Sequence, residues 1–205
     1  VNLPSARKLV AVLPVSDFTD EVYVTMVTKQ GVIKKTALSQ YQNIRITGIN
    51  AINIDKGDEL LDVIVTDGKQ HLFIATYNGM AVRFDEDKVR PMGRSARGVR
   101  GVSLRKGDYV VAVCAVTPEG NEKMLSISEQ GFGKQTTVNS YRLTNRGGKG
   151  VINMKTTAKT GNVVAAFPVE MSDQIMLVSN GGQLIRVPVD GIRIVSRASK
   201  GVRVF

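Results

Sequence analysis

The sequence predicts an all-β protein: four-stranded blades, about four of them, set radially in a disc. Three observations carry that expectation. Apolar-rich runs at residues 22–28, 71–76, 123–128 and 174–179 each lead into a glycine turn, at Gly31, Gly79, Gly131 and Gly182. These glycines stand 48, 52 and 51 residues apart. A second set, Gly48, Gly98, Gly150 and Gly201, recurs at 50, 52 and 51 residues, and two independent markers with one period define a repeat. Finally, no helix cap followed by a 3.6-residue apolar pattern is present.

Each unit reads as four short strands. The first two form a hairpin, signalled most clearly by Asn78-Gly79, a pair that tolerates positive φ. In the first unit the hairpin continues through residues 32–36. A loop of about ten residues follows, then a strand after the second glycine, and the unit closes on an apolar strand such as 60–65, 110–116 or 163–167. Radial repetition is the arrangement that protects the edges of such sheets. The approximate repeats are 16–66, 67–117, 118–169 and 170–205 together with 1–15. Residues 3–15 align without gaps on 104–116, so the chain opens on the last strand of a unit and closes in mid-unit. Either the terminal pieces join to complete one blade or the chain is a segment of a longer array, and the lack of a starting methionine favours the segment.

Charge is distributed unevenly over this framework. Residues 22–54, 88–107, 130–169 and 191–205 hold 21 of the 28 basic side chains and none of the 18 acidic ones. Positive charge gathered on part of a molecule, within a net charge of +10, points to a polyanion partner. Solvated faces are the competing interpretation, but the four runs are in phase with the repeat. Four residues before the second glycine stand Ile44, Arg94, Arg146 and Arg197, and one residue before it Thr47, Arg97, Lys149 and Lys200. Four after the turn glycine stand Lys35, Arg83, Gln135 and Arg186. Arg90, Arg142 and Arg193 form a partial row on the same loops, and Arg45 is the cation nearest to Ile44. Lys34, Arg100 and Lys134 complete the candidate set. Rotated about a shared axis, these rows would make a curved band suited to the phosphates of a bent duplex. No recognition helix or ribbon is evident, so bendability should count for more than base identity. Bridging between neighbouring blades is the alternative role for any one of these residues.

Catalytic chemistry finds little support. The single histidine, His71, starts a strand where other units have Lys123 and Gln174, and is expected as an ordinary surface residue. The single cysteine, Cys114, lies in an apolar run and is expected to be buried and inert, which suits a reducing cytoplasm. No Cys/His cluster has metal-ligand spacing, and no cofactor is expected. The run 146–150 is glycine-rich but no helix pattern follows it, so it makes a weak phosphate loop. Tyr41 and Tyr141 share a repeat position with Val89 and Ile192, which marks them as packing residues rather than nucleophiles. Tryptophan is absent and aromatic content is 5%, so base stacking is a poor binding mode here. No apolar run approaches the roughly 18 residues of a membrane span, and the N-terminus does not read as a signal peptide.

Residues 82–84 through 89–93 and on to 98–101, with Gly131-Phe132-Gly133-Lys134, Asp173-Gln174-Ile175-Met176 and the closing Lys200-Gly201-Val202, resemble the C-terminal domains of DNA gyrase A over essentially the whole chain. The resemblance implies a β-pinwheel, a propeller-like disc whose blades exchange strands and whose outer edge wraps double-stranded DNA. It implies as partners the remainder of gyrase A together with gyrase B, which supply the cleaving tyrosine and the ATPase. It further implies a wrap that favours negative supercoiling, and a bacterial, nucleoid-associated location in the cytoplasm. The family's Gln-Arg-Arg-Gly-Gly-Lys-Gly box lies in its first blade; here the nearest match, residues 144–150, agrees at the last five positions and lies in the third unit. The related topoisomerase IV domain, with similar blades and no good box, therefore stays open, as does a blade-type protein-interaction platform.

Overall fold

The computed structural model describes residues 8–43 and 45–205. Among them, β1 (Tyr23–Thr28), β2 (Val32–Ala37) and β3 (Leu60–Thr66) lead to β4 (His71–Thr76), β5 (Met80–Asp85), the two-residue β6 (Val99–Arg100) and β7 (Val110–Val116). Then come β8 (Lys123–Ser128), β9 (Phe132–Thr137), β10 (Val151–Ile152) and β11 (Val163–Val169), and last β12 (Gln174–Val178), β13 (Leu184–Pro188) and β14 (Val202–Arg203). They form three four-stranded antiparallel sheets, ordered β3-β1-β2-β6, β7-β4-β5-β10 and β11-β8-β9-β14, and a β12-β13 hairpin. The hairpin glycines all have positive φ, and each donates its N–H to the carbonyl three residues back, as Gly79 does to Thr76 at 3.0 Å. Asn78 keeps a negative φ, so the turn is a three-residue loop closed by a left-handed glycine rather than the two-residue turn that Asn-Gly suggests.

The strand after each second glycine is given away. β6 pairs with β2, β10 with β5 and β14 with β9, so every four-stranded sheet is finished by the unit that follows it. Glycine is required there because the incoming backbone crosses at close range. A Cβ at Gly98 (φ +98°) or at Gly201 (φ +75°) would stand 2.5 Å from the carbonyl oxygen of Ile33 or Gly133, and Gly150 meets Ala81 in the same way. Gly48 meets nothing, and residues 48–54 form no strand: among the described residues no sheet lies beside them to accept one. Residues 8–15 likewise pair with neither β12 nor β13. The expectations resting on residues 1–7 and on Ile44 lie outside the described residues.

The sheets pack face to face, and the period-2 pattern of each strand serves two interfaces at once. In β4, Leu72 and Ile74 join Val27, Ile33, Phe84 and Val113 between the first and second sheets. Their alternates Phe73 and Ala75 join Met124, Tyr141 and Ala166 between the second and third. Leu125 and Ile127 of β8 meet Ile175, Val189 and Ile192 of the fourth unit. Each fully buried large apolar side chain contributes about 1.5–3 kcal/mol. β7 lies against both β3 and β11, so the closing apolar strands form the inner side of the array. The opposite edge, formed by β2, β5 and β9 with their borrowed strands, is the outer one.

Candidate nucleic-acid interface

After the hairpin of each sheet the chain makes a one-turn 3₁₀ segment, Leu38–Tyr41, Glu86–Lys88, Val138–Ser140 or Val189–Gly191. In the second, third and fourth units it then runs along the outer edge of the preceding sheet. Met92, Thr144 and Val195 donate their N–H groups to the carbonyls of Lys35, Arg83 and Gln135 at 2.8, 2.9 and 2.9 Å. Successive loops also bond to each other: Asn53 to Ala96, Ser103 to Gly148 and Lys155 to Ser199, at 3.2, 2.9 and 3.0 Å between N and O. The cation-bearing loops thus form one hydrogen-bonded belt along the outer edge.

Most of the sequence-predicted cations lie on this belt. Arg90, Arg97, Arg100, Arg142, Lys149, Arg193 and Lys200 are exposed, and Arg94, Arg146 and Arg197 are half-buried. Arg45 is exposed in the corresponding loop of the first unit, where it lines with Arg94 a cleft of about 940 Å³ that has no acidic side chain in its wall. Arg186 is exposed on β13, with no following sheet against it among the described residues. Of these twelve, Arg97 alone is ion-paired among the described residues, to Asp55.

Four predicted cations are corrected: Lys34, Lys35, Arg83 and Lys134 are buried and turned into the joints between blades. Lys35 Nζ donates to the Glu86 carbonyl at 3.0 Å, with the buried Glu86 carboxylate 3.5 Å away and the Tyr23 ring face 4.7 Å away. Arg83 Nη1 reaches the Val138 and Tyr141 carbonyls at 3.2 and 3.5 Å, and Nη2 lies 3.0 Å from His71 Nδ1 and 3.1 Å from the Pro118 carbonyl oxygen. Gln135 takes the same position, donating to the Val189 and Ile192 carbonyls at 2.6 and 2.8 Å. One repeat position therefore satisfies the 3₁₀ carbonyls of the next blade three times over, because a buried carbonyl left without a donor is costly. Lys34 donates to the carbonyls of Ala51 and Arg94. Lys134, its equivalent, donates to those of Ser196 and Arg197 at 3.2 and 2.9 Å. Burial lowers their pKa values to about 8 and about 7, with the charges of Arg94 and Arg197 adding to the effect.

His71 is also corrected. It is buried beside Arg83, and burial followed by that charge lowers its pKa. Tyr41 and Tyr141 are buried as expected, and the Cys114 thiol is buried with its pKa pushed far up by desolvation. Among the described residues no group of three His, Cys, Asp or Glu side chains could hold a metal ion. Exposed belt cations that escaped the sequence reasoning include Lys155, in the loop bonded to Ser199, and Arg203. Arg203, exposed in β14, stands two residues after Gly201 as Arg100 does after Gly98, and that register was the available signal.

The chain matches the family described as DNA gyrase C-terminal domain, beta-propeller, at residues 23–67, 70–115, 122–170 and 173–205. It is 45% identical over 189 residues to the DNA gyrase A protein of Haloquadratum walsbyi, covering 92% of this chain and 22% of that one. To the DNA gyrase A protein of Helicobacter pylori it is 41% identical over 207 residues, covering 100% and 25%. The chain thus spans about a quarter of the length of these curated relatives. Among solved structures, a DNA gyrase A C-terminal domain superposes with TM-score 0.89 at 25% identity, covering 100% of this chain and 68% of that one. The C-terminal domain of a DNA topoisomerase IV does so with TM-score 0.89 at 30% identity, covering 96% and 61%. The repeat, the exchanged strands and these matches agree: the chain belongs to the DNA gyrase C-terminal domain family of β-propellers.

Proposed function

We propose that this domain binds duplex DNA along its outer belt and bends it around the disc, as a non-catalytic part of a type II topoisomerase. The observation that carries this reading is the belt itself: spaced, exposed arginines and lysines on interlocked loops of the outer edge, nearly free of carboxylate partners. Contacts of this kind go to phosphates, position the duplex and read little sequence. In the full enzyme the bent segment would present a DNA crossing of one hand to the catalytic core, built from the rest of gyrase A and from gyrase B, and so favour negative supercoiling. The expected location is the bacterial cytoplasm, on the nucleoid; among the described residues no helix is long and apolar enough to cross a membrane.

Equilibrium binding to a random-sequence duplex at graded salt tests the reading. Engagement of about 6 phosphates gives a log–log slope near about −5. Arg142→Glu with Arg193→Glu should weaken all sequences about equally, and ring-closure assays should show bending. Affinity that stays flat with salt, with no bending, would point instead to a protein-interaction platform.

A further inference from the structure

The three arginines four residues before the exchanged-strand glycines are equivalent in sequence but not in contacts. Arg146 donates Nε to the Lys88 carbonyl at 2.9 Å and Nη1 to the Arg100 carbonyl at 3.1 Å. Arg197 repeats this with Ser140 at 2.9 Å and Ile152 at 2.7 Å. In each case Nε holds a 3₁₀ segment and Nη1 a borrowed strand, from within the loop that carries the exposed cations. Arg94 lacks the clamp. Among the described residues its guanidinium makes no hydrogen bond, and Gln40 and Asn50, the residues at the matching positions, line the open cleft beside it.

We propose that Arg146 and Arg197 are positioning residues: each staples its loop to two neighbouring segments, so that Arg142 and Lys149, or Arg193 and Lys200, are held ready for phosphate before DNA arrives. The inference rests on the DNA-binding reading above. Two features of the site support it. The fork geometry is one that a lysine does not reproduce, because here two separate nitrogens of a rigid planar group, Nε and Nη1, each hold one carbonyl. The loops are also long and glycine-containing, and an unpinned loop would have to be ordered on binding at a cost in affinity.

The decisive comparison uses Arg146→Lys, which keeps the charge and loses the fork, beside Arg146→Gln and Arg142→Gln. Two readouts are taken: duplex affinity across a salt series, and hydrogen exchange of the Thr144, Gly147 and Ser103 amides without DNA. The staple predicts that both Arg146 variants lose affinity alike, by about fivefold, with an unchanged salt slope and faster exchange of those amides. Arg142→Gln should instead flatten the slope by about 1 and leave the amides as they were. Arg94→Lys, which has no fork to lose, should leave the exchange of the Met92 amide in its own loop unchanged. If Arg146→Lys binds normally while Arg146→Gln flattens the slope by about 1, Arg146 is a phosphate ligand and the proposal is overturned. Unchanged amide exchange in both Arg146 variants overturns it as well. A wild-type chain without salt-dependent binding overturns the underlying DNA reading, and the exchange data then still report whether the staple exists.

Discussion

Lys134 shows how far a charged side chain can be drawn from its expected role. It is fully buried, with Nζ 2.8 Å from Thr136 Oγ1 and within reach of two carbonyls of the next loop, and its pKa lies at about 7. In the unfolded chain the same amine titrates near ~10.4. Between those values the unfolded state binds more protons than the folded one, so stability must rise as pH goes up from about 7 toward about 10. Urea unfolding at pH 7 and pH 9 should show that rise in the wild type and a smaller one in Lys134→Met. An equal rise in both would mean that Lys134 keeps its proton in the fold. Nothing in the sequence distinguishes Lys134 from an exposed lysine such as Lys149. The difference is made by carbonyls contributed some 60 residues away, which no local pattern encodes.

Strand exchange is a property of the element and rests on glycine. Gly98 combines a φ of +98° with a crossing backbone where its Cβ would be, so an added methyl strains the residue and pushes β6 off β2 together. Gly98→Ala should therefore destabilise the domain by about 2 kcal/mol or more in chemical denaturation. The loss should show first as faster exchange of the Gly101 and Val102 amides, which donate to the Gly31 carbonyl. Gly48→Ala also sits at positive φ but meets no neighbour among the described residues, so it should cost less. A larger loss at Gly48 would refute the crossing as the reason for the glycine. The period of these glycines was legible in the sequence and located the strands after Gly98, Gly150 and Gly201, but the strand expected after Gly48 does not form. The sheet each strand joins was not legible in the pattern itself and came only from the family resemblance, because pairing with the preceding rather than the own hairpin leaves the local alternation unchanged.

For the whole molecule, each blade touches only its neighbours, so stability is a chain of joints. The joint between the second and third sheets depends on Arg83, whose guanidinium holds carbonyls of residues 118, 138 and 141 and the ring of His71. Arg83→Met keeps the volume and removes the donors. It should cost about 2–3 kcal/mol and lower the denaturant m-value as the two halves of the array begin to unfold separately. An unchanged midpoint and slope would show that apolar packing alone holds the joint. The same architecture accounts for the cationic belt. The rotation that stacks the sheets also brings loops 50 residues apart into one hydrogen-bonded belt, and cations placed once per unit become a continuous track.

Composition, period and charge phase were enough to determine an all-β repeat, its glycine hinges, its packing tyrosines and the loops that carry positive charge. These follow from near-neighbour rules: turns need glycine, strands alternate, and equivalent positions fall on equivalent surfaces. Which cations face solvent was decided only in three dimensions. At residues 34, 35, 83 and 134 the next blade presents carbonyls that need donors, and the long side chains turn inward to meet them. At residues 90, 142 and 193 none of the described residues covers the edge, and the charge stays outside. The tertiary contact sorts the two sets because one inward side chain satisfies several buried carbonyls at once, each of which would be costly without a donor, and those bonds together offset the desolvation of its charge.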